Sequence, residues 1–347
     1  MSKNINTINR EIGIDIVKSL AITFVIGVHF FLNTSFYRAN LTNTTLFFQT
    51  FAQQIFLSCI PLFLISTGYL NNSTKINFNY FKKIVPIMII YLIYSIPALI
   101  YRYYIGEIEF DLVLWIEQIL TFKGHRYSWY INLYFGFYLL IPFFNRMYNS
   151  LDNKKEKFIL ITVLLLLTTV NGVPNYWAKL YPIAYFYIGK FINEFKPTIE
   201  IKKATLYFLL IVFIETTIEF LVASGGKYTH YFNDYSSIFR AMQSILIFLM
   251  LYNRNIKNKT IEKAVVKISS STLDIYLASF LGDRLLYKPL KSLSLSQEEM
   301  FVFLPVMILF VLCFSYLIAR FRIKYLKVEK INFNLTRKNN SEIKHIN

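Results

Sequence analysis

The stretch IGIDIVKSLAITFVIGVHFFL, residues 12–32, decides how the chain is read. It is long and apolar enough for a hydrocarbon core about 30 Å thick, yet it carries Asp15, Lys18 and His29. An ionisable side chain at the centre of a membrane helix costs roughly 2.5–3.5 kcal/mol on insertion scales, so such residues mark chemistry, transport or a polar cluster that fixes helix packing. The separation of Lys18 and His29 is three helical turns plus about 20°, which puts them on one face about 16 Å apart along the axis. Asp15 shares that face, one turn before Lys18 and within pairing reach. Membrane helices usually pack through small and neutral polar residues, which favours chemistry or transport for this one.

The rest of the chain has the same character. Of 347 residues, 55% are apolar and 16% charged, and the apolar ones gather into blocks of span length. Ten spans are expected, at residues 12–32, 46–70, 84–105, 127–147, 158–173, 178–195, 204–223, 235–252, 268–287 and 300–319. The expected fold is therefore all-α, a polytopic transmembrane helical bundle. The fifth block is short, and the second is rich in glutamine at Gln49, Gln53 and Gln54.

A net charge of +17 raises the question of nucleic acid, and its distribution answers it. With an even number of spans, 25 of the 37 lysines and arginines fall in alternate loops, including Lys82 and Lys83, Lys154 and Lys155, and Lys202 and Lys203. Away from the span ends and the opposite loops, Lys18, Lys190 and Arg240 fall within spans. This is the positive-inside pattern, so both termini are expected in the cytoplasm. The basic excess then orients the chain and faces anionic membrane lipid, and no nucleic-acid partner is expected.

Cys59 and Cys313 both sit in apolar blocks and read as small core residues, with no disulfide framework and no metal-site spacing. The first block exceeds a signal-peptide core and lacks a small-x-small cleavage site, so it is expected to remain as a span. One membrane domain is expected over residues 1–322, followed by a basic cytoplasmic tail, 323–347, expected to be disordered. Between Gly106 and Arg126, Leu112, Trp115, Ile116, Ile119 and Leu120 recur at helical spacing, which predicts a short amphipathic helix on the membrane surface. Arg240 with Gln243, and Glu215 with Glu219, read as a structural ion-pair cluster between spans. Lys190 is expected to reach the interface by its long stem, and His230 and His345 to be solvated.

Four motifs in order resemble the acyltransferase 3 family of integral membrane O-acyltransferases. The family opens with a basic residue, ten residues and a histidine in its first span, as Lys18 and His29 do here. Its second span ends like Pro61-Leu62-Phe63-Leu64-Ile65-Ser66-Thr67-Gly68-Tyr69-Leu70. A following loop resembles Tyr80-Phe81-Lys82-Lys83-Ile84-Val85-Pro86, and the fourth span runs from a motif like Ser128-Trp129-Tyr130-Ile131-Asn132 to one like Ile141-Pro142-Phe143-Phe144-Asn145. Two departures stand out. Many members have a histidine where this chain has Tyr127, with His125 nearby, and many have a histidine in the ninth span where this chain has Ser279.

The resemblance implies transfer of an acyl group, usually acetyl, from acyl-CoA as co-substrate to a hydroxyl of a cell-surface or lipid-linked saccharide, with no bound cofactor. Capsular and cell-wall polysaccharides are typical acceptors, and a separate polysaccharide-synthesis protein is a partner for a stand-alone form such as this. His29 then acts either as general base on the acceptor hydroxyl or as a transiently acylated nucleophile, and the sequence leaves both open. Lys18, held charged by Asp15, steadies the anionic tetrahedral oxygen or anchors the donor. Lys82 and Lys83 read on composition as a positive-inside anchor, and under the resemblance as ligands to CoA phosphates. Trp129 reads as an interfacial belt residue or as a stacking surface for the acceptor sugar. Thr67 and Gly68 read as a point of close helix approach.

Two other function classes fit the composition. One is a transporter or flippase for a saccharide or small acid, although paired halves with broken helices are absent from the sequence. The other is an inactive membrane partner of a polysaccharide synthase, which the serine at position 279 favours. The bias toward Ile, Phe, Tyr, Lys and Asn suits a low-GC bacterium and hence a bacterial plasma membrane.

Overall fold

A computed structural model describes residues 10–169, 176–229 and 234–328. These residues form α-helices and three 3-10 turns, with no strand among them. The first seven helices are α1 (Ile12–Asn33), α2 (Thr44–Phe56), α3 (Cys59–Leu70), α4 (Phe78–Lys82), α5 (Ile84–Tyr104), α6 (Leu112–Leu120) and α7 (Trp129–Asn149). They are followed by α8 (Lys154–Thr169), α9 (Tyr181–Phe195), α10 (Ile201–Ala223), α11 (Ile238–Leu251), α12 (Lys259–Ser269), α13 (Thr272–Ser292), α14 (Gln297–Met300) and α15 (Leu304–Leu326). His230, His345, the end of the expected fifth span and the tail beyond Val328 lie outside the described residues. The start of that tail, 323–326, is the last turn of α15.

Five segments are long and apolar enough to cross a membrane: Ile12–Asn33, Thr44–Leu70, Phe78–Tyr104, Ile201–Ala223 and Gln297–Leu326. α12 and α13 make a sixth if taken as one span interrupted at Ser270 and Ser271. The other expected spans coincide with α7, α8, α9 and α11. Of these, α8, α9 and α11 have 16, 15 and 14 residues, fewer than the roughly 20 that a perpendicular crossing takes.

The described residues fall into two compact units. The first contains α1 to α3, α8 to α12 and α14; the second contains α4 to α7, α13 and most of α15. In the first unit α1 is the central helix, with 67% of its apolar window buried against 28% for α10. A break at Leu57 and Ser58 separates α2 from α3 within one expected span. Pro61 explains it, because its nitrogen has no hydrogen for the Leu57 carbonyl and its ring crowds that oxygen. α3 and α9 then cross at two glycines. A β-carbon on Gly68 would lie 1.9 Å from the Phe186 carbonyl oxygen, and one on Gly189 would lie 2.0 Å from that of Ile65. Gly68 is thus the close-approach residue its motif suggested.

In the second unit the Tyr80 and Tyr138 rings stack with centroids 4.5 Å apart. Each hydroxyl donates to the other residue's carbonyl, at 2.6 and 3.3 Å, tying α4 to α7. α5 runs unbroken through Pro86 and Pro97. The expected amphipathic helix is α6, whose first turn is capped by the Asp111 carboxylate accepting from Val113 and Leu114. Its apolar residues are uncovered, with Leu112, Ile116 and Leu120 all exposed.

Candidate functional site on the first helix

α1 buries His29 and Asp15 and leaves Lys18 partly exposed. Helicity is continuous from Ile12 to Asn33, so the one-face relation of Lys18 and His29 holds, with about 16 Å of rise between them. At its far end the Asn33 side-chain amide donates to the His29 carbonyl at 2.9 Å, closing the last turn around the histidine.

The expected Asp15–Lys18 pair does not form. Asp15 is instead the bidentate partner of Arg10, whose Nε and Nη2 reach the two carboxylate oxygens at 2.6 and 2.8 Å. Ser269 Oγ on α12 donates to the same carboxylate at 2.6 Å. The planar guanidinium matches both carboxylate oxygens at once, which a lysine ammonium cannot do. That hydrogen bond raises the Arg10 pKa above its ordinary value, so Arg10 stays charged. Ser19 Oγ donates to the Val265 carbonyl at 3.0 Å, so Asp15 and Ser19 together seat α1 on α12. Lys18 lies within electrostatic range of Asp15 and Arg10, and among the described residues it makes no hydrogen bond or ion pair. Asp15 therefore anchors the start of α1 to Arg10 and α12, while Lys18 makes no hydrogen bond among the described residues.

The other buried charges of the first unit behave differently. Arg240 is fully buried and pairs with Glu215 across α10 and α11. It also donates to the Gln54 carbonyl and to Gln243 Oε1, each at 2.5 Å, and Gln243 Nε2 donates to Glu215 at 2.7 Å. Tyr228 OH accepts from Gln54 at 2.9 Å and donates to Gln53 at 3.2 Å. This is the structural ion pair that the sequence suggested, with the glutamines of α2 as its lining. Lys190 departs from expectation. It is 2% exposed and donates to the Asn72 carbonyl at 2.8 Å, because Gly189 holds α9 against α3 and brings its stem to the end of that helix.

Lys82, Lys83 and Trp129 belong to the second unit. Lys82 lies 4.8 Å from the Phe78 ring centroid, Lys83 is exposed, and Trp129 is 45% exposed at the first position of α7. Tyr80, next to the lysines, stacks on Tyr138, and Trp129 is about 13 Å further along α7. The two lysines and Trp129 thus occupy separate places in this unit.

The same unit holds a polar cluster that sequence reading underrated. Asp274 accepts from Arg322 Nε at 2.7 Å and Nη2 at 2.5 Å, and from Tyr94 OH at 3.0 Å. Arg322 is one of the basic residues that the charge pattern assigns to the cytoplasmic side, yet it is 3% exposed, one turn from the end of α15. Tyr127 OH donates to Asp283 at 2.7 Å. His125 is buried, its Nε2 3.0 Å from the Leu277 carbonyl while Nδ1 accepts from the Tyr127 amide at 3.2 Å. That pairing is met by the tautomer that carries its ring proton on Nε2. Ser279 donates back to the Tyr276 carbonyl at 2.7 Å, within its own helix turn.

Cys59 is buried as expected, whereas Cys313 is exposed. α15 is apolar around most of its circumference but is covered only along the row Leu304, Met307, Val311, Ser315, Ala319 and Arg322, and Cys313 faces away from that row. Among the described residues no three of His, Cys, Asp and Glu gather as a metal would require. An apolar cavity of about 350 Å³ between α8, α9 and α11, lined by Phe158, Leu165, Ile188 and Phe191, holds none of the candidate residues.

Compared with known proteins, the chain matches the acyltransferase 3 family model, described as an acyltransferase domain, over residues 11–320. No curated protein and no solved structure matches it.

Proposed function

Because the chain belongs to the acyltransferase 3 family and is a helical membrane acyltransferase, we propose that it moves an acetyl or other short acyl group from acyl-CoA to a hydroxyl of a cell-surface or lipid-linked saccharide. The observation that carries this reading is the state of α1. A buried histidine and a lysine that makes no ion pair among the described residues share one face of a largely buried helix, while Asp15 is held by Arg10 and the Arg240 charge by Glu215.

In the proposed reaction His29 takes the proton of the acceptor hydroxyl as its oxygen attacks the thioester carbonyl carbon. The new C–O bond forms, the tetrahedral oxyanion collapses, and the C–S bond breaks to release CoA thiolate, which takes up a proton. Lys18, without a carboxylate contact among the described residues and about 16 Å along the axis from His29, anchors the donor and does not itself reach the oxyanion formed beside His29. A relay through acyl-His29 is the second form of the same chemistry. Accumulation of a hydroxylamine-sensitive acyl-enzyme under rapid quench separates the two. The proposed topology puts Lys18 in the cytoplasmic half of α1 and His29 toward the outer end, in a bacterial plasma membrane.

The test is incorporation of labelled acetyl from acetyl-CoA into surface saccharide in membranes carrying wild type, His29→Ala or Lys18→Ala at matched expression. Transfer by wild type that is lost in both variants supports the reading. Equal transfer by all three sinks the assignment to α1.

A further inference from the structure

The mouth of α1 opens on a cavity of about 450 Å³, walled by the ends of four helices of the first unit. That volume lies within the range of small-molecule and cofactor sites. Three cationic side chains line it: Arg10 just before α1, Lys196 at the end of α9 and Arg254 just beyond α11. Tyr69 and Tyr252 supply buried rings, with centroids 5.9 Å apart. Asn253 and Asn255 add amide donors and acceptors, and both are exposed.

The backbone here is shaped for close approach. Gly13 lets the first turn of α1 lie directly on the end of α11, where a β-carbon would fall 2.0 Å from the Tyr252 carbonyl oxygen. Lys196 takes a left-handed backbone, φ 44°, as the cap of α9. Its ammonium lies 4.4 Å from the Tyr69 ring centroid and 4.0 Å from the Glu11 carboxylate. Arg254 uses its Nε on the Met250 carbonyl at 3.2 Å and carries no carboxylate partner among the described residues. Glu11 is the one acid lining the cavity, against three cations, and the Arg10 charge is shared with Asp15.

A cavity with cations, aromatic rings and carboxamides suits a ligand that combines phosphates with a planar, hydrogen-bonding base. A lipid headgroup would match the cations but leave the rings and amides unused. We infer that this cavity holds the phosphorylated nucleotide end of the acyl donor, with its acyl arm directed along α1 toward Lys18, about 9 Å beyond Ile12. The inference rests on the acyl-CoA reading above, and it moves the donor site from Lys82 and Lys83 to the start of the helix that bears the proposed chemistry.

The experiment is equilibrium binding of labelled CoA to the purified full chain in neutral-lipid nanodiscs, for wild type, Lys196→Gln, Arg254→Gln and the Lys82→Gln/Lys83→Gln pair. Unfolding temperature serves as the control for fold. The expected result is at least a ten-fold weaker CoA affinity in Lys196→Gln and in Arg254→Gln at unchanged unfolding temperature, and wild-type affinity in the Lys82/Lys83 variant. Adenosine 3′,5′-bisphosphate should displace CoA from wild type, and pantetheine should not. If wild type binds CoA and the Lys196 and Arg254 variants bind it equally well, the cavity assignment fails and the donor reading stands. If wild type binds no CoA, the donor reading itself fails and takes this inference with it. In a parallel arm with phosphatidylglycerol, retention of that lipid by wild type but not by the variants, with CoA binding unaltered, would identify a headgroup site and overturn the nucleotide assignment.

Discussion

Two regions of the first unit bury charge in opposite ways. Around Arg240, the guanidinium meets Glu215, Gln54 and Gln243; Gln54 is itself bonded to Tyr228 and Gln243 to Glu215. On α1, Arg10 and Ser269 take up Asp15, so Lys18 is left without an ion pair on the same helix face as the buried His29. The Arg240 cluster commits both terminal guanidinium nitrogens to protein oxygens and leaves Nε buried without a partner among the described residues, and removing one member of the ion pair exposes an uncompensated charge in a low-dielectric interior. An unsaturated cluster costs stability to keep, which is the arrangement expected where a group must be free to react. The contrast separates residues that hold the bundle from residues that act in it.

The sharpest way to break that contrast is to find both regions equally important for the same property. His29→Ala should lower acyl transfer by on the order of 10²–10⁴-fold, the usual contribution of a positioned general base, with the unfolding temperature nearly unchanged. Steady-state transfer in membranes, together with unfolding of the purified variant, reads both. Arg240→Ala should do the reverse. Leaving Glu215 buried without its partner should destabilise the protein by about 3–5 kcal/mol, seen as loss of folded material before any specific loss of turnover. Replacing both partners, Arg240→Met with Glu215→Leu, should recover most of that stability, because the cost lies in the orphaned charge. If the double variant is no better than the single one, the cluster does more than hold helices together.

The sequence carried these two regions unequally. Lys18 and His29 stood out because charge is rare in an apolar block and their spacing fits one helix face, and α1 kept that face intact. The Arg240–Glu215 pair was legible for the same reason, since both residues lie within spans. What spacing could not reveal is competition between partners. Lys18 is one turn from Asp15, but Arg10, in the connection just before the helix, offers two donors in a plane and takes the carboxylate. Arg322 was hidden by position. Near the end of the last apolar block it looks like an interfacial anchor, and only the fold brings Asp274 and Tyr94 to it. Lys190 was misread for want of knowing that Gly189 brings α9 into contact with α3. The donor and acceptor ligands expected in the second unit came from local motif context, and context says nothing about whether residues converge in space.

Smaller effects test how the scaffold serves the helix. Gly68→Ala would place a methyl group against the Phe186 carbonyl, on a backbone that has no slack there. Overpacking of this kind should cost about 1–3 kcal/mol, measured by chemical or thermal unfolding. Activity per folded molecule should stay near wild type, since Gly68 and Phe186 are not among the proposed reacting or donor-binding residues. A loss of turnover that exceeds the loss of folded protein would mean that the α3–α9 crossing also shapes the site.

The smallest expected effect concerns Asp15, and it sharpens the contrast most finely. Asp15→Asn removes the bidentate ion pair with Arg10 but keeps a hydrogen-bonding group for Ser269. Arg10 is about half exposed, with side-chain exposure of 49%, so water replaces much of what it loses and the stability cost should be about 1 kcal/mol or less. If Asp15 only positions α1, the variant should lose a few-fold in turnover through a shifted helix end, and Asp15→Glu should restore part of it. If Asp15 instead governs the charge of Lys18, the variant should match Lys18→Ala in depth, and its activity should gain a different pH profile. The geometry favours the first outcome, because the carboxylate that would have to neutralise Lys18 is already held on both oxygens by groups from Arg10 and Ser269.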